Sequence, residues 1–237
     1  MSENILEKRV RIIADTSPDN PRDWDNLGRM VCWHNRYVLG DEQPSDIHQW
    51  LIGLAIEACP RLEEIIEYWD NEGFNWLYDK YEDDLETTLK VIGKHIDSLV
   101  EAVIAEHFVM LPLYLYDHSG ITMNTTGFSC PWDSGQVGYI YCSLTKAMED
   151  FNATNWNDLV NETTTLREMT ERNLRTEIDT YDQYIRGDIW GFVVEEQVET
   201  DEWESVDCCF GFYGSDPEKN GMSDYLSPEM LALAKQN

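Results

Sequence analysis

His118, Cys130 and Asp133 fall within sixteen residues of one another. These are the residue types of a cysteine nucleophile, its base and the carboxylate that orients the base. A thiolate forms at neutral pH when a helix N-terminus or a histidine stabilises it. His107 is a second candidate base, and Asp117 a second orienting group. The surroundings argue for a plainer role. FSCPWDSGQVGYIYC (128–142) matches no short cysteine-protease pattern. Pro131 suits a turn, Asp133 and Ser134 can bond the local backbone, and Gly135 and Gly138 allow positive φ or close approach. On this reading Trp132 plugs a sheet, the stretch builds a turn and a strand, and no catalytic residue is favoured.

A second constellation is DTSPDNPRDWDN (15–26). Asp15, Ser17, Asp19, Asp23 and Asn26 occupy positions 1, 3, 5, 9 and 12 of a calcium-type loop. The invariant glycine of such loops is Asn20 here, and the bidentate glutamate is Asn26. Asp15, Asp19, Asp23 and Asp25 remain candidate oxygen ligands for Ca²⁺ or Mg²⁺. The ordinary reading is aspartates that close Asx-turns and start helices, and no cofactor is favoured. Cys32 and His34 are ligand types two positions apart in an extended run, which cannot complete a zinc site alone, and Cys208-Cys209 has no CxxC partner. The chain has no Gly-rich phosphate loop, nucleophile elbow or HExxH motif.

The strongest signal is charge. The 237 residues hold 46 acidic and 17 basic side chains, a net charge of −29. Such a field opposes direct binding to nucleic acid or to an anionic membrane surface, since both need Lys and Arg to replace counterions. The acid is uneven. Residues 57–106 carry 14 acidic and 4 basic side chains, and 186–237 carry 12 and 3. Residues 107–144 carry only Asp117 and Asp133, with no Lys or Arg. The first patch comprises Glu63, Glu64, Glu67, Asp70, Glu72, Asp79, Glu82, Asp83, Asp84 and Glu86, interleaved with Trp69, Phe74, Trp76, Tyr78 and Tyr81. The second comprises Glu195, Glu196, Glu199, Asp201, Glu202 and Glu204. Rows of carboxylates with aromatic anchors are the requirement for a protein that imitates nucleic acid. The bland alternative is a solvated acidic face.

The elements that must position these groups are legible in the hydrophobic pattern. KRVRIIAD (8–15) alternates as a strand. Ser45 caps a helix that Pro60 ends, and Arg61–Trp69 is a second. Leu85, Leu89, Ile92, Ile96, Leu99 and Val103 recur at helical spacing and predict one apolar face. LPLYLYDHSG, ITMNTTG and GYIYCSL predict a three-strand meander. A helix is expected from about Asn157 to Ile185, closed by Gly187. DIWGFVVEEQVE and SVDCCFGFYG predict a hairpin across an acidic ETDEWE turn, and Ser227 caps a last helix. The order predicts an α+β fold: a mostly antiparallel sheet of five to six strands with amphipathic helices on one face. No composition break separates two cores, so a single domain, 1–237, is expected.

DWDNLGRMVCWHNRYVLGD (23–41) and LPLYLYDHSGITMNTTGFSCPWDSGQVGYIY (111–141), with TYDQYIRGDIWGFVVE and CFGFYG, resemble a family of uncharacterised phage and mobile-element proteins. The resemblance implies a product that acts in the cytoplasm of a host cell and carries over no catalytic residue. MSENILEKRVRII has no apolar run of signal-peptide length, so six reduced cysteines are the matching expectation. Joined to the charge, this predicts a counter-defence inhibitor, anti-CRISPR or antirestriction in kind, that acts as a DNA mimic. It would block the basic groove of a host nucleic-acid-binding protein complex. Two alternatives are a small metal- or cysteine-dependent hydrolase using Asp23, Asp25, His118 and Cys130, and a structural phage accessory protein with a homo-oligomeric role.

Overall fold

The computed structural model describes residues 7–81, 84–199 and 202–234. Along the chain run β1 (Lys8–Ala14), β2 (Arg29–Cys32), α1 (Ile47–Ala58), α2 (Arg61–Tyr68), α3 (Phe74–Lys80), α4 (Leu85–His107), β3 (Phe108–Asp117) and β4 (Ile121–Asn124). Then come β5 (Ser134–Ser143), α5 (Leu144–Phe151), α6 (Leu166–Arg186), β6 (Ile189–Glu199), β7 (Glu202–Tyr213) and α7 (Pro228–Ala234). The fold is α+β. Its strands form two antiparallel sheets, ordered β1-β6-β7 and β2-β5-β3-β4, where the sequence suggested one. The chain divides into two compact units: Met1–Asn26, Leu115–Gly135 and Thr176–Asn237 in the first, Leu27–Tyr114 and Gln136–Arg175 in the second.

In the first unit β1 pairs antiparallel with β6 so that Lys8 faces Glu196 and Arg9 faces Glu195. Val10, Phe192, Val194 and Phe212 form the apolar face, closed by Met222, Leu226 and side chains of α7 such as Met230 and Leu231. Burying four large side chains of this kind contributes about 1.5–3 kcal/mol each. The Ser227 hydroxyl accepts from Met230 N–H, as a helix cap should. The strands reach further into ETDEWE than expected. Glu199 pairs with Glu202, so Glu202, Trp203 and Glu204 belong to β7.

In the second unit, α1 to α4 pack around Ala55, Leu62, Leu77, Ile92, Ile96 and Val100. The cap of α1 is Asp46, whose carboxylate accepts from His48 N–H and Gln49 N–H; Ser45 stands one residue too early. His48 Nε2 lies 2.8 Å from Asp97 Oδ1, an exposed link between α1 and α4. The α4 face is rotated from its expected position. Thr88, Ile92, Ile96 and Val100 are buried, while Leu85 and Leu89 are each 53% exposed. Thr88 tolerates burial because its hydroxyl donates to the Asp84 carbonyl one turn back.

The three central strands do not form a meander. β4 pairs beside β3, and β5 lies on the opposite side of β3. The helix expected from Asn157 starts instead at Leu166, for a local reason. Glu168 accepts from both Thr165 N–H and the Thr165 hydroxyl, and Thr165 Oγ1 accepts from Glu168 N–H, a reciprocal capping box. Asp158 gathers Thr154 and Asn155 donors into a turn before it. Gly187 closes α6 at φ +70°, as the sequence suggested. Among the described residues, no helix is long and apolar enough to cross a membrane.

Candidate functional site

The acidic residues of α2, α3 and the start of α4 are displayed because the apolar residues between them turn inward. Leu62, Ile66, Trp69 and Leu77 join the core, and this leaves Glu63, Glu64, Glu67, Asp70, Glu72 and Asp79 exposed. Glu63 and Glu64 sit in the first turn of α2, where the helix dipole favours negative charge. Residues Trp69–Gly73 form one π-helical turn between α2 and α3. The Trp69 ring lies across Gly73, where any Cβ would collide with it, and meets His95 of α4 edge-on at 4.7 Å. That contact ties the turn bearing Asp70 and Glu72 to the core of its unit.

Among the described residues, Glu63, Glu64, Glu67, Asp70, Glu72, Asp79 and Glu86 make no ion pair. Lys80, the cation inside this stretch, places its ammonium over the Trp76 and Tyr81 rings at 5.1 and 5.7 Å. Asp84 differs from its neighbours. It caps α4, and hydrogen bonds from the Thr87 hydroxyl and backbone N–H hold its carboxyl below the usual range. Glu82 and Asp83 lie outside the described residues. Trp76, Tyr68, Leu85 and Leu89 are exposed in the same segment.

The second patch is partly neutralised. Glu195 accepts from Arg9 Nε at 2.6 Å and lies 3.6 Å from Arg11. The Arg9 hydrogen bond holds its carboxyl below the usual range. Glu196 pairs with Lys8 at 2.6 Å. Arg9 also covers the Trp203 ring at 4.2 Å. Glu199, Glu202 and Glu204 are exposed and make no ion pair among the described residues, and Asp201 lies outside the described residues. The sequence showed these acids but not the register that sets Lys8, Arg9 and Arg11 against two of them.

His118, Cys130 and Asp133 do come together. The Cys130 thiol donates to Asp133 Oδ2 at 3.6 Å, and His118 Nδ1 lies 3.4 Å from the same oxygen. The carboxylate thus stands as acceptor for both partners, whereas a nucleophile–base pair needs the imidazole against the sulfur. Ser134 Oγ donates to the Cys130 carbonyl, and Asp117 N–H to the Asp133 carbonyl. These are the bonds of a turn entering a strand. Trp132 is no plug: it is 91% exposed. Gly138 is the glycine this stretch requires, since a Cβ there would strike the Val31 carbonyl across the β2–β5 pair. Gly135 has open space around it.

The 15–26 loop is held by the protein itself. Asp15 accepts from Ser17 N–H, and Asn20 caps a short 3₁₀ turn, Pro21–Asp23. Asn26 donates to the Pro21 and Trp24 carbonyls, and the Tyr213 hydroxyl donates to the Asp19 carbonyl at 2.7 Å. Arg22 turns inward to Glu177 of α6 at 2.9 Å. Asp15, Asp19, Trp24 and Tyr213 border a recess of about 390 Å³. Among the described residues, no group of three or more His, Cys, Asp or Glu gathers as a metal site. Asp23 and Asp25 make no hydrogen bond or ion pair with His118 or Cys130. None of the six cysteines is in a disulfide.

Comparison of the chain with protein-family models, with curated proteins and with solved structures finds no match.

Proposed function

We propose that this protein is an interaction protein that imitates nucleic acid. It would occupy the basic groove of a host nucleic-acid-binding complex, such as a CRISPR effector or a restriction enzyme. On this reading it is a phage-type counter-defence inhibitor working in the host cytoplasm. The observation that carries the reading is the set of exposed carboxylates on α2, the π turn and α3 that make no ion pair among the described residues.

Spacing supports it. Glu63 to Asp79 covers a helical path of about 24 Å at 1.5 Å per residue. Six carboxylates on that path give roughly one charge per 4–5 Å, against about 3.4 Å along one strand of duplex DNA. Unpaired acids keep their full field for a basic partner, whereas acids already matched to arginine do not. Exposed Tyr68 and Trp76 supply aromatic contacts that outlast screening by salt. Most of the display belongs to the helical patch, with Glu199, Glu202 and Glu204 as a smaller second element.

The test is capture of host nucleic-acid-binding complexes on immobilised protein, followed by competition with labelled duplex DNA. Captured complex should dissociate as salt rises, and free protein should displace the DNA. Replacing Glu63, Glu64, Glu67 and Glu72 together by Lys should abolish both effects while the circular dichroism spectrum stays unchanged. Equal capture by that folded variant would remove the proposal.

A further inference from the structure

The second unit contains a recess of about 520 Å³ whose character departs from the rest of the chain. Four separate segments build it: the end of α1, the α4–β3 junction, the start of β2, and the β5–α5 junction. Leu27, Leu54, Phe108 and Leu144 are among the aliphatic and aromatic members of its lining. Its permanent charges are Arg29 and Lys146, set against one carboxylate, Glu57. In a chain of net −29, two cations in one lining are a local exception, although the carboxylates of Glu42 and Asp41 also act on Tyr141.

The polar groups of the recess are held in place but not used up. Tyr141 lies opposite Arg29 in the β2–β5 register. Its ring is braced edge-on by Trp50 at 5.4 Å and Phe108 at 5.9 Å. The Tyr141 hydroxyl and the His107 imidazole have no hydrogen-bond partner in the protein among the described residues. Burial, opposed by Arg29 and reinforced by Glu42, Glu57 and Asp41, pushes the Tyr141 hydroxyl above its ordinary pKa and keeps it a donor. Arg29 is mostly exposed, and its contact with Glu42 is long at 3.6 Å. Lys146 has only a 3.8 Å contact with Asp150, one turn along α5. Surface pairs of this kind are worth about 0–1 kcal/mol, so both cations can turn to a ligand. Ser143 caps α5 by accepting from Lys146 N–H, which fixes the lysine's helix turn at the rim.

We propose that this recess binds a small phosphate monoester carrying an apolar or aromatic body, of nucleoside-monophosphate size. The phosphate engages Arg29 and Lys146, with donors available from Tyr141 and His107. The body lies on Leu54 and Phe108, and Glu57 accepts from any exocyclic amine. A volume of about 520 Å³ falls in the range that encloses such ligands. The site is independent of the acidic helical face, and its ligand has the opposite charge to the partner proposed there.

The experiment is isothermal titration of the full-length protein with phenyl phosphate, with the common nucleoside monophosphates, and with inorganic phosphate. At least one monoester should bind saturably and more tightly than inorganic phosphate. Arg29→Gln and Lys146→Gln should each weaken that binding roughly tenfold, the effect of losing a charge-assisted hydrogen bond. Ala58→Phe, which fills the recess from the end of α1, should abolish it. Lys90→Gln, a charge change on α4 outside the recess, should leave it unaltered. Lys146 sits in the first turn of a surface helix, so its variant stays informative if Arg29→Gln misfolds. The proposal is overturned if no monoester saturates by about 10 mM. It is equally overturned if inorganic phosphate binds as tightly as every monoester, or if binding is indifferent to both glutamine variants.

Discussion

Replacing Arg22 by methionine separates two accounts of the 15–26 loop. If the loop is a structural strap, Arg22 is its anchor. The side chain is 4% exposed and bonds Glu177 at 2.9 Å, and Glu177 is itself 14% exposed. Methionine keeps much of the apolar stem and removes the charge, so the mostly buried Glu177 carboxylate loses its 2.9 Å bond to Arg22. Breaking a buried pair from one side costs about 3–5 kcal/mol. The double variant Arg22→Met/Glu177→Leu should recover part of that loss, because both charges of the pair are removed together. Asp23→Asn and Asp25→Asn should stay within about 0.5 kcal/mol of the parent, being exposed or partly exposed and outside the anchor. Urea unfolding followed by tryptophan fluorescence measures all of these. The reasoning is refuted if Arg22→Met costs under about 1 kcal/mol while Asp23→Asn or Asp25→Asn costs more. A rise in unfolding temperature on adding Ca²⁺, lost in the asparagine variants, would refute it as well.

Four further outcomes are expected. Glu195 has a folded-state pKa below its unfolded one, mainly through the Arg9 hydrogen bond. Its contribution is therefore full above the ordinary carboxylate range and is lost as pH falls through the lowered folded value. Glu195→Gln should flatten the acid limb of the stability–pH curve, measured by urea unfolding at stepped pH. Tyr213 is pushed up to about 12 by burial, with Asp19 adding to the shift. Its folded form holds the proton longer, so stability should fall between its ordinary pKa near 10 and about 12, and Tyr213→Phe should remove that component in an alkaline ultraviolet titration. On α4, Leu89→Gln should cost under about 0.5 kcal/mol, whereas Ile92→Ala should cost about 2–5 kcal/mol; equal effects in denaturant unfolding would contradict the observed face. Gly138→Ala should destabilise strongly, since its methyl meets the Val31 carbonyl, while Gly135→Ala should be tolerated; thermal unfolding of both decides it.

Much of this protein follows from local pattern. The alternation of KRVRIIAD, the period of Ile92, Ile96 and Leu99, and the glycine after Arg186 are short-range signals, and the corresponding elements form where they predict. Composition alone shows which segments bear the acid. Caps are as local, and TLRE (165–168) carries in four consecutive residues the capping-box pattern that places the start of α6.

Long-range pairing decided the rest. Which carboxylates keep their charge for a partner depends on whether a cation from a distant segment is set against them. Only the β1–β6 register puts Lys8, Arg9 and Arg11 beside Glu195 and Glu196, about 186 residues away, while among the described residues no cation pairs with Glu63 to Asp79. The meeting of His118 and Cys130 at one Asp133 oxygen and the inward turn of Arg22 belong to the same class. So does the gathering of Arg29, His107, Tyr141 and Lys146 around one recess. The physical reason is that a helix or strand is closed by bonds between near neighbours, so its signal is written in consecutive residues. A charge pair or a cavity is closed by side chains from remote segments, and its partners are selected only when the core packs.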